Sequence, residues 1–176
     1  MFTIRRLNHR TDTEIFKALV VEAAKDTPAA FCESAEEVIA KPLPGFADLL
    51  DDHGRGDFVL GAFDDMNNLV GIVGICRAPF GKQFHKAMLW GMYVTISQRQ
   101  QGMGRQLIHA AIEHTRQLPG ILHINLSTTG TSSAANHLYE SVGFKIYGVE
   151  PNSVNVDGVY FDETWMQLKL ELAITN

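Results

Sequence analysis

Two glycines close a polar turn and open a helical pattern in the run Arg99-Gln100-Gln101-Gly102-Met103-Gly104-Arg105. Ahead of it, Ala87 to Val94 is apolar and β-prone apart from Gly91. Behind it, Met103, Leu107 and Ala111, with Ile108 and Ile112, recur at helical spacing. The stretch predicts strand, glycine turn and helix. Glycine at such a point lets a ligand come up against bare backbone. The first helical N–H groups have no intrahelical partner, and the helix dipole adds partial positive charge there. Together they make an anion site, best suited to phosphate. It is not a P-loop, because Arg105-Gln106 follows the last glycine where Lys-Ser/Thr is needed. Nor is it a dinucleotide fingerprint, because Leu107 stands where the third glycine belongs.

The elements that must hold this turn can be read along the chain. Phe2 to Leu7 alternates as a short strand. Thr11-Asp-Thr-Glu14 reads as a capping box opening a helix to about Lys25, and Ser34-Ala-Glu-Glu37 as a second box on a short helix that Pro42 and Pro44 stop. Phe46 to Leu50 predicts a further helical turn. Asp57 to Phe63 and Leu69 to Arg77 read as strands around the turn Asp64 to Asn68, and Ala78 to Lys86 as a loop leading to the strand Ala87 to Val94. The helix after the glycines runs to about Gln117, where Leu118-Pro-Gly120 breaks it. Ile121 to Ser127 is a strand with Leu122, Ile124 and Leu126 on one side. Ser132 to Ser141 is a helix stopped at Gly143. Phe144 to Val149 and Tyr160 to Leu170 are strands, with a hairpin turn at Asp157-Gly158. Only the middle has βαβ character, so the expected fold class is mixed α/β: a central, mostly antiparallel sheet with helices on both faces.

Composition narrows the function. A chain of 176 residues, 45% hydrophobic and 20% charged, suits one globular domain, 1–176. No run approaches the roughly 18 apolar residues of a membrane span, and the N-terminus lacks a signal-peptide core. Cys32 and Cys76 are too few for a disulfide framework, and no Cys/His spacing suggests a metal site. A reducing cytoplasm is the expected compartment. A net charge of −5 argues against nucleic acid as partner and for a cationic small substrate.

Three pieces together resemble the GNAT family of N-acetyltransferases. The first is Trp90-Gly-Met-Tyr-Val94 running into Arg99-x-x-Gly102-x-Gly104, similar to the family's acyl-CoA pyrophosphate loop. The second is Leu138-Tyr-Glu-Ser-Val-Gly-Phe144, similar to its Leu-Tyr-x-x-x-Gly-Phe segment. The third is Tyr147-Gly-Val-Glu-Pro151 with Asp157-Gly and Asp162-Glu163, similar to the end of a bacterial subgroup. The order of predicted elements is also that of the family. One position departs: Ser132 stands where the family often has Asn.

The resemblance implies acetyl transfer from acetyl-CoA, as co-substrate, to a primary amine, by direct attack in a ternary complex. Gln100, Gln101, Gly102, Met103, Gly104 and Arg105 would hold the pyrophosphate, with Arg99 beside them and Ser132 in place of the Asn contact. Met92, Tyr93 and Val94 would offer strand-edge backbone to the pantetheine amides, in the manner of an added strand, and an N–H to the thioester oxygen. Tyr139 is implied as the acid that helps the thiolate leave. For the base that deprotonates the amine, Glu37 and Glu163 are the candidates, with Glu33, Glu36, Glu150 and Asp162 also in view. Glu37 also fits as capping partner of Ser34, and Glu163 as part of a hairpin. The acceptor is expected to be a small molecule. Two other functions fit the same residues: an acyl-CoA sensor without turnover, and a protein N-terminal acetyltransferase. A homodimer is common among proteins that look like this one.

Overall fold

The computed structural model of the protein describes residues 2–129 and 133–170. Seven strands form one sheet in the order β1-β2-β3-β4-β5-β7-β6. They are β1 Thr3–Arg6, β2 Phe58–Phe63, β3 Leu69–Arg77, β4 Lys86–Val94, β5 His123–Thr129, β6 Lys145–Val156 and β7 Val159–Lys169. Neighbours run antiparallel except β4 and β5, which are parallel. The helices are α1 Thr13–Asp26, α2 Ala35–Ala40, α3 Leu43–Leu49, α4 Met103–Arg116 and α5 Ser133–Ser141. The expected mixed sheet is thus present, with the expected order of elements.

Alternation on the strands divides the core between two faces. On one face Leu107, Ile108, Ala111 and Ile112 of α4 pack with Leu60, Val73, Ile124, Leu126 and Met166 of the sheet. On the other, Phe16, Leu19 and Ala23 of α1 meet Val38 of α2, Phe46 of α3, and Val59, Ile72 and Tyr93. The stripe at 103, 107, 108, 111, 112 and 115 explains why α4 forms and which side it buries. Each fully buried side chain of this size contributes roughly 1.5–3 kcal/mol.

Local signals held in some places and gave way in others. The Ser34 box forms: its Oγ accepts from the Glu37 N–H at 3.2 Å, and the Glu37 carboxylate accepts from the Ser34 N–H at 2.7 Å. The Thr11 box does not. Asp12 occupies the cap position of α1, but its carboxylate turns back to take two Arg5 donors at 2.7 and 2.9 Å and the Asn8 N–H at 2.7 Å. A guanidinium fork outcompetes a single helix N–H. Pro42 both ends α2 and begins α3, where Pro44 sits in the first turn. The strand expected to finish at Val149 continues through Pro151 to Val156. Proline is tolerated there because β6 is the sheet's edge strand and the ladder is broken by a bulge between Glu150 and Val154.

The feature that makes the site lies between β4 and β5. Among the described residues they pair only through Lys86–His123, Ala87–Ile124 and Met88–Asn125. Beyond Met88 the two strands part, and the C-terminal half of β4 has a free edge. A second bulge sits on β4, where Gly91 and Met92 together oppose Val73 of β3 and Gly91 takes φ +61°.

Candidate active site

A cleft of about 570 Å³ fills the gap between the parted strands. Met92, Tyr93 and Val94 of β4 line it. So do Arg99, Gln100, Gly102, Met103, Gly104 and Arg105 at the glycine turn, and Tyr139 on α5. The structure therefore brings ten of the sequence-nominated residues to one place. Gln101 lies off the lining, exposed, its amide donating to the Ser97 carbonyl at 3.4 Å. Ser132 falls outside the described residues.

The turn has the geometry of an anion cradle. Gln100 and Gly102 take left-handed backbone, at φ +62° and +79°, and Gly102 is the cap residue of α4. Such a conformation curls successive N–H groups toward one point. The first backbone bond of α4 is from Gln106 N–H to the Gly102 carbonyl. Among the described residues nothing accepts from the N–H groups of residues 101–105. A Cβ on Gly102 would meet nothing within 4 Å, so its conformation, not crowding, asks for glycine. Gly104 instead allows a close approach: a Cβ there would stand 3.3 Å from both Leu138 Cδ2 and Met92 Cε.

Arg99 holds the turn against the rest of the protein. Its Nε donates to the Val94 carbonyl at 2.8 Å, its terminal nitrogen pairs with Asp26 on α1, and its guanidinium lies 5.3 Å from the Tyr93 ring centre. The Tyr93 hydroxyl donates to Glu22 at 3.1 Å and to Asp26 at 3.3 Å. Burial, followed by the bond to Glu22, pushes the Tyr93 phenol up from its ordinary value. Arg99 is thus engaged at both ends within the protein, as a strut of the cradle.

The β4 bulge reorders the strand's faces. Strict alternation would set Trp90 and Met92 on one face. In the structure Trp90 and Tyr93 both pack on the α1 side, the indole lying over Gly74, while Met92 packs on the α4 side. The Thr95 N–H goes to the Val70 carbonyl of β3 at 2.9 Å. Alternation then turns the Val94 N–H to the opposite, free edge that faces the cleft.

Tyr139 is a buried residue of the cleft lining. It is 5% exposed, and its ring meets Phe144 edge-on at 5.7 Å. Burial raises its phenol well above the ordinary tyrosine value, so it stays protonated. Among the described residues its hydroxyl has no hydrogen-bond partner.

The nominated carboxylates sit elsewhere. Glu37 is exposed and caps α2, and the Ser34 backbone bond lowers its pKa. Glu33 pairs with Lys41 at 2.7 Å, and the Asp162 carboxylate takes the Asn152 N–H at 2.9 Å. Glu150 accepts the Trp165 indole N–H at 3.4 Å. Glu163 is half-buried behind the lining and accepts the hydroxyls of Ser127 at 2.6 Å and Ser153 at 2.8 Å. Among the described residues no Asp or Glu lines the cleft itself. The nominated carboxylates thus lie outside the lining, with Glu163 one hydroxyl behind it. Ser127, Thr27, Ala30 and Phe31 do line it, and sequence reasoning passed over them. Ser127 had a signal: it alternates with the apolar Ile124 and Leu126 and so had to face the other side.

Residues 17–144 match the model of the acetyltransferase (GNAT) family, and the chain belongs to that family. The family's acyl donor is acetyl-CoA. An L-methionine sulfoximine/L-methionine sulfone acetyltransferase of Pseudomonas paraeruginosa is 36% identical over 94 residues, 53% of this chain and 53% of the relative. The chain spans about half the length of the curated relatives it matches. Among solved structures, a GNAT-family acetyltransferase of Streptococcus pneumoniae superposes with a TM-score of 0.87 at 20% identity, covering 97% of this chain and 100% of that one. That likeness shows the fold alone. The ribosomal-protein-alanine N-acetyltransferase of Brucella melitensis is 25% identical with a TM-score of 0.82, covering 96% and 99%. No helix among the described residues is long and apolar enough to cross a membrane.

Proposed function

We propose that the protein moves the acetyl group of acetyl-CoA to the primary amine of a small molecule, by direct attack within one ternary complex. The observation that carries this is a single cleft joining a cradle of unpaired N–H groups at residues 101–105, the free edge of β4, and the buried phenol of Tyr139. Phosphates of CoA suit the cradle. The two amides of the pantetheine arm suit the open strand edge, which lacks a neighbour for that length. The Val94 N–H, turned to the same edge, suits the thioester oxygen as negative charge gathers on it. Tyr139 supplies a neutral phenol to the departing sulfur. Holding amine and thioester in line accounts for much of the rate, since alignment alone is worth up to about 7–11 kcal/mol.

The acceptor end is bounded by Thr27, Ala30, Phe31 and Trp90, small and aromatic side chains without a charge. An amine with a compact body fits such walls, and the substrates in the name of the Pseudomonas relatives are small amines, derived from methionine. The free thiols Cys32 and Cys76 fit a reducing cytoplasm. The test is acetyl-CoA binding by calorimetry followed by CoA release with a panel of amino acids, methionine sulfoximine, polyamines and N-terminal peptides. Binding with turnover of a free amino acid or similar small amine is expected. Binding without any turnover would favour a sensor, and turnover of peptides alone would move the acceptor to protein N-termini.

A further inference from the structure

A base for the amine is missing from the cleft lining, because no carboxylate or histidine reaches it among the described residues. Three carboxylates stand a single hydroxyl behind: Glu22 and Asp26 behind Tyr93, and Glu163 behind Ser127. Ser127 is two residues past Asn125, the last β5 residue paired with β4, so it lies at the throat where the strands part. Ile124 and Leu126 point into the α4 core. Ser127 therefore points to the α1 side, where Ala30, Phe31 and Trp90 wall the same cleft. Its Oγ donates its only proton to Glu163 Oε1 at 2.6 Å. What Ser127 leaves free is acceptor capacity. The second oxygen of Glu163 is fixed by Ser153 at 2.8 Å. The β6 bulge makes that contact, since three residues of β6 oppose Asp162 alone between Glu150 and Val154.

We propose that Ser127 is a catalytic residue: it takes the proton of the attacking amine and hands its own to Glu163. This rests on the acetyltransferase function above. The nitrogen uses its electron pair to form the C–N bond to the thioester carbonyl carbon and becomes strongly acidic. An N–H bond breaks as an O–H bond forms on Ser127 Oγ, while the original Ser127 proton moves to Glu163 Oε1. Serine ends as a hydroxyl and the carboxylate as a carboxylic acid, which returns its proton to water after turnover. The C–S bond breaks with its pair on sulfur. Nothing is oxidised or reduced. A hydroxyl alone is too weak a base, and an adjacent base is what activates it. Tyr93 also touches carboxylates, but its hydroxyl reaches away to α1, where Glu22 already takes the Thr95 hydroxyl and Asp26 is paired with Arg99. Around Glu163, the charged neighbour in register is Glu150 on β6, and the 3-10 turn Pro28–Ala30 packed against β5 and β6 brings no charge.

The test compares wild type with Ser127→Ala, Ser127→Thr, Glu163→Gln and the Ser127→Ala/Glu163→Gln double variant. It reads kcat against pH, acetyl-CoA Kd and Tm. Ser127→Ala and Glu163→Gln should each lower kcat by about 10²-fold, with Kd within about twofold. The double variant should be no worse than the poorer single one, as for groups acting as a unit. Ser127→Thr keeps a hydroxyl and should recover part of the loss. The wild-type kcat should level off at high pH, while both impaired variants climb without levelling, as hydroxide replaces the internal base. A kcat within about threefold of wild type for either single variant, multiplied losses in the double, or unchanged levelling overturns the relay and leaves the acetyltransferase standing. Wild-type protein that binds acetyl-CoA and acetylates no amine overturns both.

Discussion

Replacing Tyr139 by Phe removes one oxygen and keeps the ring that packs edge-on against Phe144 at 5.7 Å. The two roles open to this residue make opposite forecasts. A structural tyrosine would lose a hydrogen bond worth about 1 kcal/mol on removal of the hydroxyl. Here the ring is buried, while the hydroxyl opens on the cleft and has no partner among the described residues, so removing it breaks no bond within the protein. Tyr139→Phe should therefore fold as well as wild type. A change of 1 kcal/mol would shift Tm by about 2–4 °C in a chain this long, so the two proteins should unfold within that range of each other. Catalysis should nonetheless fall, with kcat down about 10²-fold, or about 2.7 kcal/mol in the barrier. The acetyl-CoA Kd should hold, because the cradle and the β4 edge are untouched. The assay is thermal unfolding beside steady-state CoA release at several pH values. Since burial raises the phenol's pKa, wild-type activity should show no decline from phenol ionisation at the ordinary tyrosine value near about 10. Wild-type turnover by a stable Phe variant would refute the acid role. A Tm loss of several degrees would refute the argument about the unpartnered hydroxyl.

Gly104→Val should leave the fold intact, because the new Cβ meets only the flexible tips of Leu138 and Met92 at 3.3 Å. It should weaken acetyl-CoA by about ten- to a hundredfold in calorimetry, the loss of one charge-assisted N–H bond at about 1.5–3 kcal/mol. Asp26→Asn releases one end of the Arg99 strut; the pair is partly exposed and worth about 1 kcal/mol, so KM for acetyl-CoA should rise about fivefold with kcat little changed. Asp12 is held below its ordinary pKa by the Arg5 bonds. Its contribution, about 1–2 kcal/mol given Arg5's exposure, is present above about pH 4 and lost as pH falls through the lowered folded value. Urea midpoints of wild type and Asp12→Asn should thus differ at pH 7 and converge toward pH 3.

The sheet, the order of elements and the cradle were legible because they rest on local rules. Period 3.6 marked α4, alternation marked the strands, and Gly102 and Gly104 marked the turn. What escaped depended on pairings between distant segments. Thr11 and Glu14 looked like the two halves of a capping box, but Asp12 took the cap position and its carboxylate went to Arg5, seven residues back. Trp90 changed sides because Gly91 inserts a bulge that alternation cannot foresee. The carboxylates nominated for the amine came from regions that the resemblance sets beside the acceptor, and the fold committed Glu33 and Glu37 to local partners. Arg99 carried the motif but serves it from the side, through Asp26 and the Val94 carbonyl. Alternation with Ile124 and Leu126 tells which way Ser127 faces; the divergence of β4 from β5 gives it a place in the cleft.

Among the described residues three pairs, Lys86–His123, Ala87–Ile124 and Met88–Asn125, are all that stitch β1–β4 to β5–β7 within the sheet. Mechanically this is a seam. Pulled from the two ends of the chain, the sheet has its shortest ladder there, and thermal opening should start at the same line. Each half keeps its own ladders when the seam yields, so partial opening exposes the cleft without dissolving either side. A long ligand lying along the seam would act as the missing thread. It would raise the protection of the amides around Val94 against hydrogen exchange, and it would lift Tm in proportion to the logarithm of its concentration above Kd. The same gap that admits the substrate thus leaves the empty protein weakest where the loaded one is bound together.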